Sequence, residues 1–282
     1  MQFSVKSFRA WKQKNITLLG MSGVGKTYLS GMLRKHQWFH YSGDYRIGTR
    51  YLDEPILDLV KRQAMQVPFL RELFERDWIY IRNNIKIDDL GPVLSFVGKL
   101  GNPQLGGVEL KDFVKRQALY RDAEIATMYD VPGFIEKAQK IYGYEHFVND
   151  VGGSLCELDE PGVLDTLAEH TLILYIQVTN KEEEQKLISR AQSAPKPLYY
   201  RADFLEQQLA VYLEENNMQY AAEMDPDEFT RWIFPRLFHS RIPRYEEIAK
   251  QGYTVTSEEV SKVKNEADFI KLLEAAISRE QS

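Results

Sequence analysis

Gly20, Met21, Ser22, Gly23, Val24, Gly25, Lys26 and Thr27 fit the spacing G-x-x-x-x-G-K-[ST], whose chemistry is that of a phosphate cradle. The glycines let the backbone fold into a nest with its N–H groups pointing inward, and the start of a following helix adds a positive dipole end. Lys26 has the reach to serve β- and γ-phosphates, and the Thr27 hydroxyl is placed to ligate a phosphate-bound magnesium. The motif needs a strand before it and a helix after it. The apolar run 16–19 supplies the first and residues 28–37 the second. In that setting the segment is a P-loop, with Gly20, Ser22, Gly23, Val24, Gly25, Lys26, Thr27 and Tyr28 as expected nucleotide contacts, and ATP and Mg2+ as the implied ligands.

Three other groups carry chemistry by position. A polar stretch at 42–50 follows the second apolar run; there Asp44 can orient an acceptor hydroxyl or hold magnesium through water, and Arg46 or Arg50 can clamp an anion. The third run ends in Asn149, Asp150, Val151, Gly152, Gly153 and Ser154. Asp150 would face the phosphates opposite Thr27 and share the metal with it, and the two glycines would let substrate approach the backbone. Both stretches also read as structural turns, with Asp150 or Ser154 capping the chain from Leu155 onward. After the fourth run, Arg190, Lys196 and Arg201 lie on a charged, proline-punctuated segment. They could swing onto a transferring phosphoryl group and exclude water; the plainer reading is a solvated helix pair.

The elements that must position these residues alternate. Short apolar runs at 38–41, 146–149, 172–178 and 219–222 join the one at 16–19, with helical stretches between, and 253–255 adds another short strand. The pattern predicts an α/β chain of three layers, a P-loop NTPase fold with a central parallel sheet, whose ligands sit at the carboxyl ends of the strands. Residues 57–144 read as a helical insertion over that edge, interrupted by glycine and proline at 91–107. Residues 181–205 read as a lid. The domain division expected is 1–240 for the P-loop domain and 241–282 for a C-terminal extension packed on it. Thr256 to Glu259 fit a capping box, and Phe269, Leu272, Leu273, Ala276 and Ile277 recur at helical spacing, as on a face packed against a sheet.

Composition narrows the function classes. The 282 residues carry a net charge of −5 and a pI near 5.7, against a surface coated for duplex nucleic acid. Cys156 is the only cysteine, which excludes an intrachain disulfide framework and a thiolate zinc site. No apolar run approaches a membrane span and the first fourteen residues lack a signal-like core, so a soluble, cytoplasmic protein with no membrane partner is expected. The segment 231–244 interleaves four arginines with aromatic residues and no acid. Single-stranded nucleic acid is one reading, and a helix with buried aromatics and snorkelling arginines is the one preferred.

The order of parts resembles the shikimate-kinase and nucleoside-monophosphate-kinase branch of P-loop proteins. Asp44 with Arg46 resembles that branch's acceptor-binding pair, Gly152 and Gly153 its glycine turn, and Lys196-Pro197-Leu198 stands where shikimate kinases carry an Arg-Pro-Leu in the lid. Lysine at that place lacks the bidentate fork of arginine, and the compact shikimate enzymes have no counterpart to 57–144. The resemblance implies an ATP-dependent kinase, with Lys26, Asp44, Asp150, Arg190 and Lys196 catalytic, a small-molecule acceptor at Asp44, Arg46, Arg50, Gly152, Gly153 and Arg201, and Thr27 with Asp150 on the metal. No N-K-x-D follows the fourth strand, which favours ATP over GTP. The alternative is a regulatory ATPase whose nucleotide state controls a protein or RNA partner.

Overall fold

Five short strands, β1 (Asn15–Leu19), β2 (Trp38–Ser42), β3 (His146–Asp150), β4 (Leu172–Gln177) and β5 (Tyr253–Thr256), form one parallel sheet in the order β2-β3-β1-β4-β5. The computed structural model describes residues 3–280; Met1 and Gln2 of the N-terminal stretch, and Gln281 and Ser282, lie outside it. β1 and β4 are near-continuous apolar runs because helices cover both faces of the sheet. Alternation on β2 shows the two sides. Trp38 packs edge-on against Phe269 of the helix Glu266–Arg279, while Phe39 and Tyr41 turn toward Phe134 of the helix Val131–Lys140 on the opposite face. The architecture is therefore the three-layer α/β arrangement expected.

Strand register aligns the carboxyl ends. Leu18 and Ser42 both lie beside Asp150, and Leu19 lies beside Tyr175. The glycine loop after β1, the turn after β2 and the glycines after β3 thus emerge together along one edge.

Over that edge stand two further hydrophobic clusters. One gathers Ile47, Leu52, Ile56, Val93, Phe96 and Tyr120; the other gathers Phe113, Phe204, Leu209, Phe229, Ile233 and Leu237. The helix Leu110–Tyr129 joins them to the sheet, since Phe113 enters the second cluster, Tyr120 and Ala123 the first, and Met128 the sheet core. The helix Pro226–Ala249 does the same with Phe229 and Ile233 at one end and Tyr245 and Ile248 at the other. It passes unbroken through position 240, where the chain division was expected, and the segment beyond supplies β5.

Some expectations need correction. The stretch 219–222 is not a strand: the Glu223 carboxylate accepts the backbone N–H groups of Gln219 and Tyr220 at 3.1 and 2.9 Å and winds the chain into a tight turn, Ala221–Glu223. The sheet's fifth strand is Tyr253–Thr256, followed by the Thr256–Glu259 capping box. Gly91 opens a helix, Gly91–Val97, instead of breaking one, and the glycines with left-handed φ come later, at Gly98 and Gly106. The arginines of 231–244 do not all snorkel: Arg236 lies 3.7 Å over the Trp232 ring, but Arg241 is buried. No helix among the described residues is long and apolar enough to cross a membrane.

Candidate active site at the carboxyl edge of the sheet

The glycine loop has the geometry its sequence demands. Gly20, Gly23 and Gly25 take φ of 145°, 93° and 108°, conformations that side chains resist. A Cβ at Gly20 would also stand 2.7 Å from the Ile176 carbonyl oxygen of β4, so the loop can leave β1 this closely only through glycine. Gly25 is the N-cap of the helix Lys26–Leu33 and supplies no side-chain acceptor to its first turn, where backbone N–H groups lack intrahelical partners. Val24 is buried against the loop base, Ser22 and Thr27 are exposed, and the Tyr28 hydroxyl turns away to donate to the Val263 carbonyl at 3.1 Å. Only the backbone of Tyr28 is thereby left to the loop.

Lys26 is buried. Its Nζ donates to the carbonyls of Gly20 at 2.6 Å and Met21 at 2.9 Å, and burial lowers its pKa against the opposing pull of Asp150 and, less, Asp44. The lysine is thus tied to the loop's own oxygens and lies in the field of both acids that the sequence singles out. Asp150, at the tip of β3, is buried with His40 Nε2 at 3.6 Å. Burial and then Asp150 raise the Asp44 carboxyl above its ordinary value, while Tyr120, donating to Asp44 Oδ1 at 3.2 Å, opposes the shift.

The glycine turn after β3 closes the space between them. A Cβ on Gly153 would lie 3.4 Å from the Ser22 backbone nitrogen and 3.7 Å from the Arg241 guanidinium; one on Gly152 would lie 2.8 Å from Glu124 Oε1 and 3.2 Å from Asp44 Oδ1. The Tyr245 hydroxyl donates to the Gly153 carbonyl and fixes the turn. Beneath it, Ser154 Oγ donates to Glu124 Oε2 at 2.6 Å, and burial pushes the Glu124 carboxyl up to about 8.

The basic residues separate. Arg190 comes to the P-loop, its guanidinium 3.4 Å from the place a Cβ on Gly23 would occupy, and its helix, Lys181–Ser193, is docked through reciprocal bonds of Gln192 and Arg231 and through buried Ile188. Lys196 and Arg50 are exposed. Arg46 is engaged elsewhere: it pairs with Asp130 at 2.8 Å and lies over the Phe134 ring, while Tyr51 donates to the same carboxylate. Arg201 is tied to Asp203 at 2.7 Å.

Sequence reasoning missed Tyr120, Glu124, Glu157, Arg241 and His40. A signal existed for two of them. Gln117, Tyr120, Glu124 and Thr127 follow helical spacing on the buried face of Leu110–Tyr129, where apolar residues are the rule.

For magnesium, the donor set fits. Thr27 offers a hydroxyl and Asp150 a carboxylate, hard oxygens of the kind that hold Mg2+ together with phosphates and water, and no group of three metal-ligating side chains among the described residues competes for it.

No family model matches the chain, and no curated protein matches it. Among solved structures it is similar to the shikimate kinase of Bacteroides thetaiotaomicron, with 14% identity and a TM-score of 0.37 over 95% of this chain and 96% of that one. It is similar also to the shikimate kinase of Acinetobacter baumannii in complex with shikimate, with 14% identity and a TM-score of 0.41 over 99% of each chain. The fold assignment rests on strand order and loop geometry.

Proposed function

We propose that this chain is an ATP-dependent phosphotransferase that moves the γ-phosphate of ATP·Mg to a small-molecule acceptor bound over the carboxyl edge of the sheet. One observation carries the reading: the glycine turn after β3 packs directly on the P-loop, bringing Asp44 and Asp150 to either side of Lys26. Residues 20–28 cradle the phosphates, and Lys26 exchanges its loop carbonyls for phosphate oxygens. Thr27 and Asp150 hold magnesium, which when bound neutralises charge across the β- and γ-phosphates. Asp44, half-buried at the rim, accepts the proton of the acceptor hydroxyl as its oxygen bonds to phosphorus and the bond to the ADP oxygen breaks. Arg190, already over Gly23, stabilises charge on the transferring group, and Lys196 joins it on closure.

Catalysis of this kind is positioning and charge neutralisation, and it requires water to be kept out. The helical layer, 57–144, encloses the acceptor. Incubation with γ-labelled ATP and panels of nucleosides, nucleotides, sugars and hydroxy acids tests the proposal. Label should appear on one class of acceptor, with little free phosphate when none is present.

The second reading, a regulatory ATPase, is favoured by the helix Pro226–Ala249. Tyr245 touches the glycine turn at one end and Phe229 anchors a separate core at the other, a connection suited to carrying nucleotide state outward. Phosphate release stimulated by a protein or RNA partner, with no label on any small molecule, would select it.

A further inference from the structure

Glu124 is the one side chain among the described residues with a carboxyl oxygen that is buried and without a hydrogen-bond partner. Its other oxygen accepts from Ser154, so the orphan is Oε1, and Oε1 is the atom closest to the missing side chain of Gly152. Asp44 Oδ1 approaches the same point from the far side. The gap between the two carboxyls is therefore the volume that a methyl group at position 152 would fill.

The groups facing this pair leave it short of positive charge. On its own helix Glu124 has Tyr120, whose hydroxyl serves Asp44; from the segment after β3 it has Ser154 and Glu157; from the helix Pro226–Ala249 it has Arg241, whose guanidinium is bonded to Glu157 at 2.5 and 2.9 Å. Lys26 acts first on Asp150 and only then on Asp44. Two neighbouring carboxylates in a buried site do not both ionise when no cation is bonded between them.

We propose that Glu124 is a positioning residue held as the neutral carboxylic acid, its Oε1–H directed across Gly152 to Asp44 Oδ1, so that the pair carries one negative charge and Asp44 keeps it. The role rests on the phosphotransfer reading: Tyr120 and Glu124 both donate to Oδ1, which leaves Oδ2 as the oxygen that takes the acceptor's proton. The hydrogen-bond pattern agrees, because Oε2, accepting from Ser154, is the carbonyl-like oxygen of a neutral acid. Burial acting on both groups shifts them in the same direction, toward the protonated form. As a coupled pair they titrate together, with the proton residing on the more deeply buried member.

Infrared titration of the intact protein tests this. A protonated-carboxyl stretch should persist at neutral pH, where surface carboxylates are ionised, and should vanish in Glu124→Gln. In Asp44→Asn it should remain but disappear at a lower pH, by about one unit, because the like charge has gone. In Ser154→Ala it should persist to higher pH, because a donor to the ionised form has gone. These two variants decide the matter if Glu124→Gln does not fold. Lack of the band at neutral pH, its survival in Glu124→Gln, or equal midpoints in Asp44→Asn and the parent protein would overturn the assignment. Calorimetry with ATP·Mg separates the two claims. A missing band with nucleotide binding intact defeats the carboxyl pair alone, and a normal band without nucleotide binding defeats phosphotransfer and with it the role given to the pair.

Discussion

Arg241 and Glu157, 84 residues apart in sequence, form a buried ion pair whose guanidinium also donates to the Tyr199 carbonyl at 2.9 Å. Three segments meet there: the helix Pro226–Ala249, the turn after β3 and the chain leaving the segment 181–205. Removing one partner strands a charge. Arg241→Met is expected to cost about 3–5 kcal/mol and Glu157→Leu a similar amount, while the double variant recovers much of the loss. Urea unfolding of the four proteins checks it, and simple additivity of the two losses would show that the pair is not the source of the cost.

Lys26→Ala should weaken ATP·Mg binding by at least about 100-fold, the scale of a lost charge-assisted phosphate contact. Lys26 also bonds Gly20 and Met21 carbonyls, so a stability loss of about 1 kcal/mol should accompany it. Calorimetry gives the first quantity and thermal melting the second. Unchanged affinity in a folded variant removes the P-loop assignment.

Asp150→Asn and Asp44→Asn should separate metal from acceptor. The first should weaken magnesium-dependent nucleotide binding, since the carboxylate at the tip of β3 shares the metal with Thr27. The second should slow transfer by about 100-fold or more with ATP affinity almost unchanged. Isotherms with and without magnesium distinguish them, and the opposite pattern exchanges their roles.

Arg190→Ala should lower ATP affinity modestly, by less than about tenfold, and lower transfer more, because the guanidinium lies beside Gly23 before any phosphate arrives. Hydrogen exchange should show added protection on ATP-analogue binding at 194–198 more than in the docked helix Lys181–Ser193. Uniform protection of both would count against closure by this segment.

The Glu124 carboxyl gives stability a pH dependence of unusual sign. Its folded-state pKa, about 8, exceeds its ordinary value of 4.5, so the folded protein holds this proton where the unfolded chain has released it. Its contribution is complete below the ordinary value and is lost as pH rises toward the folded one, by at most about 1.4 kcal/mol per unit. Asp44 adds in the same direction. Glu124→Gln should flatten the fall across that window in denaturant titrations. A slope equal to the parent's would place the effect elsewhere.

The P-loop was legible because its chemistry is local: glycine spacing, a strand before and a helix after fix it without distant partners. The strand order was legible in part, since apolar runs mark the strands, although Glu223 winds 219–222 into a turn by bonds that no periodicity reveals. Arg46 looked like an anion clamp because Asp130, its partner, lies 84 residues away. Glu124 stayed hidden for the converse reason. A single acid in a charged helix reads as surface until the fold buries that face against Gly152.

The helix Leu110–Tyr129 contributes to all three hydrophobic clusters, so none of them can lose its packing without loosening the others. The layer that encloses the acceptor is for that reason no detachable module, and its excision would remove Met128 from beneath the sheet along with Tyr120 and Glu124 from beside Asp44. Heating should produce one melting transition, and a nucleotide bound at the far edge of the sheet should raise the temperature at which every part of the molecule comes apart.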